Sequence, residues 1–157
     1  MSSWTDTQRT VLRAGLVALT VAPAWIGAWA TAAPHSFYGN FPAAGRHWVA
    51  GLPPYNEHLV RDYASASLGF LVLLVFAAVV LERRLVQGAL LAYAVAAIPH
   101  FVYHTTTTGH FGTLDNVLSL GGLAFGFVVP LALLPLTFQR HGRAPAKSVA
   151  ATTGGAA

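Results

Sequence analysis

The stretch "YASASLGFLVLLVFAAVVLERRLVQGALLAYAVAAIPHFVYH", residues 63–104, decides the fold. It holds two apolar runs separated by one charged cluster, Glu82, Arg83 and Arg84. A helix crossing a bilayer needs about 20 mostly apolar residues, because the hydrocarbon layer is ~30 Å thick. Each run meets that length. "LERRL" leaves room only for a tight turn, so the pair reads as two antiparallel membrane helices.

Working outward, residues 14–34 and 117–138 also contain no Asp, Glu, Lys or Arg. The chain therefore reads as an all-α, integral membrane four-helix bundle with spans near 13–33, 61–81, 85–104 and 116–137. Only 9% of the 157 residues are charged, against about 25% in an ordinary soluble domain. There is no cysteine, which removes disulfides and thiolate metal sites. The first span has a basic start and an "ATA" that resembles a signal-peptide cleavage site. Its length, with Trp25 and Trp29, favours a retained helix.

The net charge of +4 is ordered along the chain. Arg9, Arg13, Arg83, Arg84, Arg140, Arg143 and Lys147 fall on one side of alternating spans, and only Arg46 and Arg61 on the other. Lys and Arg gather in short cytoplasmic loops. Both termini are thus expected in the cytoplasm of a bacterial inner (plasma) membrane, with residues 139–157 as a disordered basic tail. These cations read as topology signals, so nucleic acid is not an expected partner. The bilayer is, together with a membrane-protein partner or a second copy.

Residues 34–57 form the one long loop, expected outside. Phe37, Tyr38, Phe41, Trp48 and Tyr55 argue that it packs on the bundle or lies in the headgroup region, because a free linker is polar. It shows little helical period. Asp115 or Thr113 is expected to cap span four through a side-chain oxygen. Gly121, Gly122 and Gly126 are expected to let span four approach a neighbour closely.

The chemistry-bearing residues lie near the outer ends of spans two and three. "PPYNEHLVRD", residues 53–62, and "PHFVYH", residues 99–104, each supply an i, i+4 pair: His58 with Asp62, and His100 with His104. Residues four apart share a helix face. If the two pairs face each other they form a three-imidazole, one-carboxylate set suited to a divalent transition metal: zinc, copper, iron or manganese. Glu57 and Asp115 are then the candidate catalytic groups, one of them acting as a general base or as a hydrogen-bond support to the metal ligands. Ionisable groups in spans are expensive and usually mark function. Bland readings exist for each group. His58 can be a helix-entry residue, Asp62 a latch to Arg61 or Arg46, and His100 with His104 interhelical hydrogen bonders. Arg61, against the charge pattern, needs a local partner such as Glu57.

"SFYGNFP", "GRHWV", "LPPYNEHLVRD" and "PHFVYH" together resemble a group of small, uncharacterised bacterial four-helix membrane proteins with a conspicuous outer loop. In size and helix count the chain is also similar to DoxX-like proteins. The resemblance covers residues 34–116 and implies four spans but no activity. Two functions follow from the residues: a His/Asp metal site at the outer face, with or without catalysis, or a non-catalytic accessory subunit of a membrane complex. Haem held by opposed histidines ranks below both.

Overall fold

A computed structural model describes residues 4–43 and 45–138; the expected basic tail lies outside them. Among the described residues the chain is helical and has no strand. The helices are α1 (Asp6–Ala32), α2 (Pro34–Asn40), α3 (Glu57–Val80), α4 (Arg83–Thr106) and α5 (Thr113–Leu133), with short 3-10 turns at Thr108–His110 and Leu134–Thr137. Four helices are long and apolar enough to cross a membrane. At about 1.5 Å per residue, the 24 residues of α3 reach about 36 Å, more than the ~30 Å of hydrocarbon. Val17, Val21, Val72, Val79, Val95 and Val117 all stand exposed on the helix exteriors. So much uncovered apolar surface suits lipid and not water.

Three of the four long helices start before their uncharged runs under a polar N-cap side chain. Thr5 accepts from the Gln8 amide at 3.1 Å, and Gln8 Oε1 accepts from the Thr5 amide at 2.9 Å, a reciprocal capping box. Asn56 accepts from the Leu59 amide at 3.1 Å and so begins α3. Glu82 accepts from the Leu85 amide at 2.8 Å and begins α4. That bond, with further amides of the same turn, holds the Glu82 carboxyl below its ordinary pKa. The preceding Leu81 sits in the left-handed region (φ 49°, ψ 38°) with its side chain buried. Apolar contacts therefore hold a conformation that L-residues otherwise avoid. α5 departs from expectation. Its N-cap is Gly112 without a side-chain bond, and Thr113 and Asp115 lie inside the first turn. Asp115 is drawn instead to two donors on the α1–α3 connection, described below.

The tight turn does not make α3 and α4 principal partners. α1 packs most extensively on α3, and α4 on α5, while the α3–α4 contact is thin. The glycines explain part of this. A Cβ added at Gly27 would lie 2.7 Å from Leu68 Cδ2 and 3.3 Å from the Leu68 amide nitrogen. One added at Gly15 would overlap Leu133. Close approach thus belongs to α1. The glycine stripe expected to pack on α5 does not do so. Gly121 and Gly122 face open space, and Gly126 meets Ala97 and Tyr93 only at ordinary contact distance.

The two ends of the bundle differ. At the Arg83–Arg84 end, Leu12, Leu16, Leu19, Leu74, Leu90 and Val86 form a dry core. Gln87 donates to Thr137 at 3.0 Å, and Thr137 donates to the Leu134 carbonyl at 2.7 Å, so its buried hydroxyl is satisfied. Arg13 lies at this end too, its Nε donating to the Ala78 carbonyl at 3.1 Å. The other end carries the α1–α3 connection and a smaller cluster around Ala30, Phe37, Val60 and Ala64.

Gly27→Ala is expected to destabilise the protein by about 1–3 kcal/mol through overpacking on Leu68. Gly121→Ala is expected to be neutral or stabilising by up to about 1 kcal/mol. Denaturant or thermal unfolding of both variants in one detergent measures the contrast.

Candidate functional site: a cavity beneath the α1–α3 connection

The connection is more ordered than its composition suggests. Pro34, whose fixed φ suits a first helical turn, starts the two-turn α2, which was not expected. Phe37 turns inward and is 2% exposed. From it a chain of rings runs through the segment. Trp29 meets Phe37 at 5.9 Å, Phe37 meets Phe41 at 4.9 Å, and Phe41 meets Trp48 at 6.2 Å between centroids. Tyr38 and Tyr55 pack at 4.9 Å. The expectation that these aromatics pack on the bundle holds.

Two polar anchors fix the segment to α5. Asp115 Oδ1 accepts from Arg46 Nη1 at 2.6 Å and from Trp48 Nε1 at 2.9 Å. A carboxylate in the first turn of a helix also benefits from the dipole there. Asn116 donates to the carbonyls of Thr108 at 2.8 Å and Phe111 at 3.0 Å, which shapes the α4–α5 turn. Phe111 in turn leans on Gly51, where a Cβ would lie 2.7 Å from its ring.

Beneath this strap is a partly open cavity of about 560 Å³. Phe37, Phe41, Trp48, Val49 and Leu52 roof it, and α1, α3, α4 and α5 each supply wall residues. The volume falls within the ~300–1,000 Å³ of small-molecule sites. Gly122 leaves part of the α5 wall bare.

The polar groups of the cavity converge on α4. His100 and His104 face each other with Nε2 to Nε2 at 3.1 Å. Tyr63 from α3 meets the His100 ring edge to face at 6.0 Å, and Tyr103 meets His104 likewise at 5.5 Å. Each imidazole is therefore braced by its own phenol ring. Ser119 adds a hydroxyl from α5. A neutral imidazole carries one N–H and one bare nitrogen. A bond between the two Nε2 atoms needs the proton on one of them, which leaves that ring's Nδ1 bare. The accepting ring then carries its own proton on Nδ1. The pair thus presents one donor and one acceptor Nδ1. No other hydrogen bond of either ring is seen among the described residues.

The expected four-ligand metal set does not assemble. His58 and Asp62 do pair, at 3.4 Å, but their side chains are 86% and 61% exposed. Val60, Ala64 and Ser67 take the buried face of α3, and residues 58 and 62 fall on the opposite side. Among the described residues no three His, Asp or Glu side chains gather to hold a metal. Glu57 does not line the cavity either. It accepts from Arg61 at 2.8 Å, the partner that Arg61 was expected to need, with Tyr55 donating to it at 3.4 Å. Asp115, taken by Arg46 and Trp48, likewise does not line it. Of the loop histidines, His35 packs on Tyr55, His47 bonds the Gly39 carbonyl, and His110 is exposed.

Sequence reasoning missed Tyr63, Tyr103, Ser119, Gly122 and the Arg46–Trp48 anchor. A signal existed for Tyr63. The small and apolar stripe Val60, Ala64, Ser67 marks the face toward α1, which places 63 beside it and 58 and 62 away. Trp48 and Asp115 are 67 positions apart, and no local pattern links them.

Fold and site together define a small helical protein with four helices long and apolar enough to cross a membrane and a cavity at one end. No protein-family model, curated protein or solved structure matches the chain.

Asp115→Ala removes the shared acceptor of Arg46 and Trp48. It is expected to raise the rate of limited proteolysis within residues 41–52 several-fold while helical circular dichroism stays unchanged.

Proposed function

We propose that this is a multi-pass membrane protein of the bacterial inner membrane that takes a membrane-soluble small molecule into the cavity and presents the His100–His104 pair to it. The Arg83–Arg84 end faces the cytoplasm, as the charge pattern favours, so the cavity opens toward the outer leaflet. The observation that carries the reading is the imidazole pair itself: two ring nitrogens engaged with each other, two left over, in an apolar cavity of ligand size.

The chemistry open to such a pair is hydrogen bonding and proton movement. A proton arriving on the bare Nδ1 of the donating ring releases its Nε2 proton across the 3.1 Å gap to the other ring. That ring then gives up its Nδ1 proton. Both tautomers invert and no net charge stays behind. Tyr63 and Tyr103 hold the ring planes during the exchange, and the Asp115 anchor keeps the aromatic roof in place.

One observation favours a second reading, in which the same pair binds zinc or copper. With metal–nitrogen bonds of about 2.0–2.1 Å, adjacent ligand nitrogens lie about 3 Å apart, close to the observed spacing. The remaining ligands would then come from the bound molecule, because His58 and Asp62 point elsewhere.

Native mass spectrometry of protein released gently from membranes, combined with elemental analysis, separates these readings. The cavity reading expects a co-purifying small molecule on wild type that is lost in Gly122→Leu, and no metal beyond trace in wild type or in His100→Ala/His104→Ala. Near-stoichiometric metal lost in the double variant establishes the metal reading. Neither a bound molecule nor metal, with a partner protein retained, returns the chain to an accessory role.

A further inference from the structure

Resting on the cavity reading, we infer that the ligand is an uncharged lipid whose head group is an oxygen-bearing ring, the chemistry of a quinone or quinol. Charge decides the first half. Among the described residues that line the cavity there is no Asp, Glu, Lys or Arg. The nearby charged groups are already paired with one another: Arg46 with Asp115, and Arg61 with Glu57. A phosphate, carboxylate or ammonium head placed here would have no fixed counter-ion, and burying an unpaired charge is strongly unfavourable. Protonating the imidazole pair to meet an anion would itself bury a charge among apolar rings. A neutral head group avoids both costs.

Shape and chemistry decide the second half. The walls are rich in ring edges and faces: Phe37, Phe41, Trp48, Tyr63, Tyr103 and the imidazoles. Aromatic rings pair preferentially in offset or edge-to-face geometry, each pair adding about 0.5–1.5 kcal/mol beyond area burial. A planar head group gains these contacts and an alkyl chain does not. The pair offers one donor and one acceptor nitrogen. A ring carbonyl satisfies the donor and a ring hydroxyl the acceptor, so oxidised and reduced heads can both be held. The exposed flank of α3 at Leu59, which lines the cavity and is 66% exposed, gives the lipid tail a route to the bilayer.

The test uses the full chain in phosphatidylcholine nanodiscs, with quenching of tryptophan fluorescence as readout, since Trp48 lines the cavity. The probes are a short-chain ubiquinone and brominated forms of oleate and lysophosphatidylcholine, whose bromines quench tryptophan as the quinone does. Gly122→Leu and Leu59→Phe serve as blocking variants. A Cβ at position 122 meets nothing within 4 Å, and Leu59 is exposed, so both positions have room for substitution, and unchanged helical circular dichroism checks the fold of each variant. Saturable ubiquinone binding is expected, at least tenfold tighter than either charged lipid. It should weaken at least tenfold in both blocking variants and in His100→Gln/His104→Gln. Oleate or lysophosphatidylcholine binding as tightly as ubiquinone, with the same sensitivity to the blocking variants, overturns the ligand class and leaves the cavity reading standing. Saturable ubiquinone binding unmoved by every variant places the quinone elsewhere and also overturns the inference. No saturable binding of any probe overturns both.

Discussion

In a helix surrounded by hydrocarbon, a polar side chain must find a partner within the protein, because the solvent offers none. At the cavity end of these four long apolar helices the polar groups are found paired. His100 satisfies His104, Glu57 satisfies Arg61, and Asp115 satisfies Arg46 and Trp48 together. The first two solutions are local, one helical turn long. The third crosses from the connection to α5 and closes the roof over the space between the helices. What remains after these pairings are solved is a chamber with aromatic walls and one imidazole pair.

The two ends of the bundle divide the work. At the turn end, leucines and small residues fill the interior, and the buried Leu81 fixes the α3–α4 connection in a left-handed conformation. At the other end the helices keep α1 and α3 together through Gly27, while the bare surface of Gly121 and Gly122 on α5 faces no neighbour. Close packing in one place and missing side chains in another come from the same residue type. The packed base holds the helices in register beneath the open cavity.

The four long apolar helices were legible because lipid imposes a length and a composition that few other environments require. Arg61 was legible as needing a near partner, and the aromatic connection as packed rather than free. The site was legible only in part. The spacing of His100 and His104 identified a shared face correctly, since both positions belong to one helix. The spacing of His58 and Asp62 did the same, but i, i+4 says which residues share a face and not which way the face points. That direction is set by what α1 offers to Val60, Ala64 and Ser67, a tertiary fact. For the same reason Asp115 read as a cap: its two donors lie in a distant segment, and local pattern favours the helix terminus. The glycines of α5 read as packing residues because the small-residue rule does not distinguish a helix face that meets a neighbour from one that lines a void.

Nitrogen-detected NMR of the imidazole rings, with the protein in nanodiscs and His100 and His104 assigned by substitution, tests the account most directly. Two neutral rings of opposite tautomer, with a scalar coupling across the Nε2–H···Nε2 bond, are the predicted result. Two rings with no coupling between them, both in the same tautomer, would contradict it.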